Sequence, residues 1–240
     1  LQTLWDFGMD VLDDIRDSTR AAALGFMKTL ANQIVSACNP EGSIGSSVMD
    51  REHTVDDITS FIIPILLDKG LLAPSPEGRG FSIGLLLRIV KTSRASLKDN
   101  LIRLVSVLVE SMSAMEPRSL QYMEFHTERL NISTNELEST RLKLSQLSPL
   151  QDALDVCLES LQSPSCLGIV HEVITNLSLQ TQQGIGLATR VSAVRSLLFL
   201  MNSCPHAWNP SSTQRCFLSL MIAIFPNPPT SESLRKDIIV

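Results

Sequence analysis

Apolar residues recur along the chain at helical spacing, in blocks separated by short polar or Gly/Pro-rich breaks. Leu1, Leu4, Trp5, Met9, Val11, Leu12 and Ile15 fall on one helical face, and Ala22, Ala23, Phe26, Met27, Leu30, Ile34 and Val35 on a second. This predicts two antiparallel helices over 1–38 with a tight joint at Asp13-Asp14. Ser18 or Asp17 is placed to cap the second helix, because a short oxygen-bearing side chain accepts from helix-start N–H groups. Residues 39–47 hold Pro40, Gly42 and Gly45 and read as a loop. The pattern returns over 55–72, with Pro64 expected to kink it, and again over 79–93 after a Pro- and Gly-rich turn at 73–78. A third pair covers 97–112 and 117–129, where Pro117 sits at a helix start and sacrifices no hydrogen bond. From 130 to 148 the leucines are scattered among Asn131, Asn135, Glu136, Arg141 and Lys143, a polar and partly helical insertion. Helices follow over 150–161, 167–179 and 187–202, then a loop at 205–212. A last helix starts at 217 and stops before Pro226, Pro228 and Pro229.

The pairs share a signature. An arginine opens the second helix of each: Arg20, Arg79, Arg118 and Arg190. Arg79 and Arg118 are 39 residues apart, and the longer gaps on either side, 59 and 72, each enclose an insertion-like stretch. A two-helix unit repeating near 40 residues is the mark of HEAT or armadillo arrays. The expected fold is all-α, an α-solenoid of HEAT-like hairpins. The units are 1–38, 55–94, 97–129 and 150–204 (the last with an extra helix), with a polar insertion at 130–149. A partial repeat at 211–225 and a Pro-rich tail at 226–240 complete the division. One hairpin cannot bury its own apolar face, whereas stacked hairpins bury a continuous core. Asp14 precedes Arg20 by six residues, so an Asp at the joint and an Arg at the helix start can form a ladder across the stack. Such a ladder would satisfy turn carbonyls and helix-start donors. Asp14, Arg20, Arg79, Arg118 and Arg190 are therefore the candidate structural ladder.

Composition narrows the function classes. The formal net charge is −5 over 240 residues, which argues against a nucleic-acid binder, whose footprint is a Lys/Arg surplus. Mean hydropathy is +0.15 and charged residues are 19%, unlike a disordered chain. One Tyr and two Trp leave few rings to stack on bases or sugars. Five cysteines, Cys38, Cys157, Cys166, Cys204 and Cys216, show no CxxC spacing and read as buried free thiols. Asn131-Ile132-Ser133 and Asn176-Leu177-Ser178 match a glycosylation sequon, and with no signal peptide read in these residues they are expected to be chance matches. His53, His126, His171 and His206 lack metal-ligand spacing, and His171-Glu172 point to different sides of a helix. Gly78, Gly80 and Gly84 do not follow a strand, and Gly184-Ile185-Gly186 lacks a GK[ST] ending, so no phosphate loop is expected. Met residues fill apolar faces. No apolar run approaches the ~20 residues of a spanning helix. No catalytic residue, metal site, cofactor, nucleic-acid partner, membrane insertion or small-molecule substrate is expected. The chain starts on Leu1 inside a periodic stretch, as a segment cut from a longer array would, and its cut ends should be apolar and adhesive.

Specific residues carry a resemblance. Val11-Leu12-Asp13-Asp14-Ile15-Arg16-Asp17-Ser18-Thr19-Arg20-Ala21-Ala22 resembles the stretch MDDIK-(E/D)-(S/T)-VR-x-AA of the proteasome adaptor and scaffold family, which is built of HEAT repeats. Ile63-Pro64-Ile65-Leu66-Leu67-Asp68-Lys69-Gly70 resembles its LLPCLLDKG segment. Residues 102–117, read through Leu108, Glu110, Ser111, Met112 and Glu116-Pro117, resemble LIPALLESLSVLEP. Leu120-Gln121-Tyr122, Ser148-Pro149, Cys157-Leu158 and Gly184-Ile185-Gly186-Leu187 continue in the same order, so the likeness runs from about Leu1 to about Phe225. The sequence departs from the family before Leu187-Ala188-Thr189-Arg190, where the family has Gly-Thr-Lys-Gly-Gly, and beyond Pro226. The resemblance implies a non-enzymatic scaffold that binds 26S proteasome subunits, stabilises the association of core and regulatory particle, and links proteasomes to other cell components. It implies a cytoplasmic location, with nuclear, endosomal and endoplasmic-reticulum association. The alternative is another HEAT or armadillo scaffold, or a transport-receptor fragment, serving a different complex.

Overall fold

The structure is a computed structural model that describes residues 2–39, 48–208, 213, 214, 216–218, 220 and 221; for Gln2, 48–54, Ala95 and Glu128 only the backbone is described. All regular structure among these residues is helical. The loop expected at 39–47 lies, apart from Asn39, outside the described residues, as do the tail 226–240 and much of the partial repeat 211–225. The described residues between 213 and 221 are helical. The chain forms two compact units, 1–100 and 101–240.

In the first unit α1 (Gln2–Leu12) and α2 (Asp17–Ala37) pack as a hairpin. Trp5 and Met27 lie fully buried between them and their neighbours. α3 (Val48–Ile65) begins earlier than the apolar pattern indicates and contains Pro64. Rather than stopping, it passes into a π turn, Leu66–Gly70, closed by Leu71 N–H donating to Leu66 O at 2.9 Å. A proline removes one N–H from the ladder, and a wider turn is one way a helix continues past such a defect. α4 (Pro76–Thr92) then packs on the π turn and on α2. Its start is capped by Ser75 Oγ, which accepts from Gly78 N–H at 3.0 Å, with Pro76 at the first helical position. A 3-10 segment, Arg94–Asn100, closes the unit. Ile62, Leu66, Leu86, Ile89 and Leu97 form its core.

The second unit is organised around α5 (Leu101–Ala114), whose Leu101, Leu104, Val105, Leu108, Val109 and Met112 are buried. α9 (Pro149–Ser160), α10 (Leu167–Gln183) and α11 (Leu187–Ser203) all pack on it. Short 3-10 turns, Pro164–Cys166 and Pro205–Ala207, precede α10 and follow α11. The helix expected over 117–129 is broken at His126 into α6 (Arg118–Phe125) and the single turn α7 (Thr127–Leu130). The stretch read as a polar insertion carries α8 (Thr134–Gln146). A capping box starts it: Ser133 Oγ accepts from Glu136 N–H at 3.2 Å, and Glu136 Oε2 accepts from Ser133 N–H at 3.0 Å. α8 packs on α6, α9 and α11, with Leu142 against Val191 and Val194. Only two of its leucines, Leu137 and Leu142, are buried, which is why its periodicity reads weakly in sequence.

Candidate functional site

Two of the four recurring arginines, Arg20 and Arg79, close the joints of individual hairpins. Arg20 Nη1 donates to the carbonyls of Asp14 (2.8 Å) and Ile15 (3.1 Å). Arg79 Nη1 does the same to Ala73 (2.9 Å) and Pro74 (3.1 Å). The two arginines hold the carbonyls six and five residues upstream with nearly equal distances. A guanidinium suits this task because its Nη1 carries two N–H groups fixed in one plane. Arg190 serves a variant: its Nε donates to Thr181 O at 3.0 Å, near the end of α10, where carbonyls lack helical partners. Arg118, first residue of α6, is exposed and makes no such bond among the described residues.

This differs from the ladder expected across the stack. Asp14 and Arg20 meet, but through the Asp14 backbone. The Asp14 carboxylate instead accepts from Arg16 N–H at 2.8 Å, and the carboxylate partner of Arg20 is Asp17. Arg16, not Ser18 or Asp17, occupies the cap position of α2, and its side chain makes no capping bond. Proximity explains the outcome: a tight joint presents its own orphan carbonyls within reach of the arginine six residues on. Two local motifs mark helix starts. Ser-Pro at 75–76 and at 148–149 places a capping hydroxyl directly before a proline, and Ser148 Oγ accepts from Gln151 N–H at 3.3 Å. Ser133-x-x-Glu136 is the capping-box spacing. The clamp between α5 and α11 was not legible locally: Thr189 N–H donates to Ser113 Oγ (3.0 Å) and Ser113 N–H to Thr189 Oγ1 (3.3 Å), from residues 76 apart.

No constellation of catalytic type is assembled by the described residues. His126 stacks on Tyr122 with ring centroids 4.4 Å apart, and His171 and His206 sit on separate elements. No group of His, Cys, Asp and Glu is arranged to hold a metal among the described residues, and no described helix is long and apolar enough to cross a membrane. All five cysteines are free and buried. Burial pushes the Cys38 thiol up to about 11 and the Cys157 thiol up to about 12, away from nucleophilic use. What the surface does offer is apolar area: Tyr122 and Phe125 on α6, Leu147 after α8, and Ile185 in the α10–α11 turn are all exposed. Arrays of helical hairpins bind other proteins through such surfaces.

Comparison with known proteins places this architecture. Residues 97–232 match the model of the HEAT-repeat domain of the proteasome adapter and scaffold protein ECM29. The chain belongs to this HEAT-repeat family. A human proteasome adapter and scaffold protein is 30% identical over 213 residues, covering 88% of the chain and 11% of the relative. A Saccharomyces cerevisiae proteasome component is 23% identical over 82% of the chain and 10% of its own length. One from Schizosaccharomyces pombe is 20% identical over 84% and 12%. The chain thus spans about a tenth of the length of these ECM29 relatives. No solved structure matches it significantly. In this member of the ECM29 HEAT-repeat family, arginine clasps close two of the hairpin joints.

Proposed function

We propose that this chain is a scaffold segment that binds the 26S proteasome and performs no chemistry of its own. The match of 97–232 to the HEAT-repeat domain of a proteasome adapter carries the reading. The hairpin packing and the exposed apolar side chains support a protein-binding surface, and the inert buried thiols and dispersed histidines argue for a non-catalytic role. Stabilising the association of core and regulatory particle, and linking proteasomes to other cell components, are the finer parts of this proposal. So is a cytoplasmic location with nuclear, endosomal and endoplasmic-reticulum association. These finer parts rest on the family resemblance alone.

The test is affinity capture with the immobilised chain and purified 26S proteasome. Retention of proteasome subunits above an unrelated HEAT array is expected. Loss of all subunits, with a different complex enriched from lysate, would overturn the proteasome reading. Robust turnover in a hydrolase and transferase screen would overturn the non-enzymatic one.

A further inference from the structure

Between the C-terminal end of α5, α6 and α8 lies a cavity of about 200 Å³. Met112, Met115, Leu120, Leu144 and Leu150 give it apolar walls. That volume is below the ~300 Å³ where pockets for small ligands begin. It is ample for a single aromatic or branched side chain, since an apolar cavity of ~150 Å³ already accepts benzene. Two of its walls are methionines, whose unbranched, polarisable side chains adapt to the shape of an incoming group.

The charged groups at the cavity are unbalanced. Arg141 is shared by two carboxylates: Glu116 Oε2 lies 2.8 Å from its Nε, and Glu124 Oε2 accepts from its Nη2 at 3.0 Å. Arg141 and Glu116 are 12% and 11% exposed, whereas Glu124 is 57% exposed and turns a free face to solvent. The three carry one net negative charge. Burial holds the Glu116 carboxyl above its ordinary range, against the pull of Arg141. The Nε and Nη2 of Arg141 are thus both turned to carboxylates, Nε to the buried Glu116 and Nη2 to the exposed Glu124.

We propose that this cavity is an anchor site for a partner protein. It takes one large apolar side chain, Phe- or Leu-sized, from a segment that carries a Lys or Arg beside it for the exposed Glu124. The proposal deepens the scaffold reading above and rests on it, since anchors of this kind are how a protein-binding surface gains specificity.

The test uses the 240-residue chain with 13C-labelled methionine methyls and needs no proteasome, so its failure is separate from failure of proteasome binding. The probes are three capped dipeptides: acetyl-Phe-Lys-amide, acetyl-Phe-Glu-amide and acetyl-Ser-Lys-amide. At about 10 mM, enough to occupy a ~1 mM site, the Phe-Lys probe is expected to shift the Met112 and Met115 methyls. Those of Met9, Met27 and Met201 should stay in place. The Phe-Glu probe should bind about threefold more weakly, the size of an exposed charge interaction, and the Ser-Lys probe should not register. Glu124→Gln, at an exposed position, should remove the preference for Lys over Glu and leave Phe-dependent shifts intact. Unmoved Met112 and Met115 methyls would overturn the proposal. So would equal shifts with the Ser-Lys probe, or a charge preference that survives in E124Q.

Discussion

At the scale of single residues, the structure rests on polar groups that repair the ends of helices. Arg20 and Arg79 each bind two joint carbonyls that would otherwise compete for water. Charged donors to carbonyls contribute about 1.5–3 kcal/mol where well buried, and less at these half-exposed positions. Arg20→Ala and Arg79→Ala are each expected to destabilise the chain by about 1 kcal/mol, or ~2–4 °C in Tm for a chain of this length, with solubility unchanged. Arg79→Lys should recover only part of the loss, because an ammonium on a flexible stem lacks the fixed planar N–H placement of Nη1. An unchanged thermal midpoint in both alanine variants would remove the clasp from the account. Cys38 and Cys157 supply a second residue-scale check. With thiols held near 11 and 12 and buried in the core, both should resist alkylation at neutral pH until denaturant is added. Mass spectrometry of peptides alkylated under native conditions measures this, and rapid native labelling of Cys157 would contradict its placement.

At the scale of elements, joints and caps decide where helices begin. Gly186 has φ +87, and a Cβ there would lie 2.4–2.5 Å from the side chain of Ser113, the residue clamped to Thr189. Gly186→Ala therefore meets both backbone strain and a clash, and a loss of about 2–4 kcal/mol is expected in denaturant melts. Gly80 offers the control: it sits inside α4 with open space around its Cα, so Gly80→Ala should raise stability by about 0.5–1 kcal/mol. The α8 capping box adds a pH dependence. The Ser133 N–H and hydroxyl hold the Glu136 carboxyl below its ordinary range. A lowered carboxyl contributes fully above the unfolded value, and its contribution is lost as pH falls through the folded one. The stability difference between the chain and Glu136→Ala should thus be constant near neutrality and shrink in acid. A difference that grew in acid would reverse the assignment.

Elements also show how much could be read from the sequence. Helices with many buried apolar positions, such as α5 and α11, were legible in the sequence, whereas in α2 two residues of the expected face, Ala22 and Phe26, are exposed. α8 was only half legible, since two leucines sufficed for its contacts while its box of Ser133 and Glu136 announced its start. The break at His126 and the π turn after Pro64 left no periodic trace, because both keep apolar residues near helical spacing. Among the candidate residues, the repetition of arginine was visible, but its partners were not. Backbone carbonyls have no letter in a sequence, so an Asp at the joint invited a carboxylate pairing that the fold does not use for Arg20.

At the scale of the whole molecule, the central proposal is that this chain serves as a docking surface on the proteasome. Its lysines make this directly measurable. Lys28, Lys91, Lys98 and Lys143 are exposed or lie on described helices and 3-10 turns of both units. Crosslinking mass spectrometry of the chain assembled with purified 26S proteasome is the most direct test. The account predicts crosslinks from these lysines to a small, reproducible set of proteasome subunits, with those from Lys143 reduced by an acetyl-Phe-Lys-amide competitor. Crosslinks confined to the chain itself, or scattered over the proteasome without preference, would contradict it.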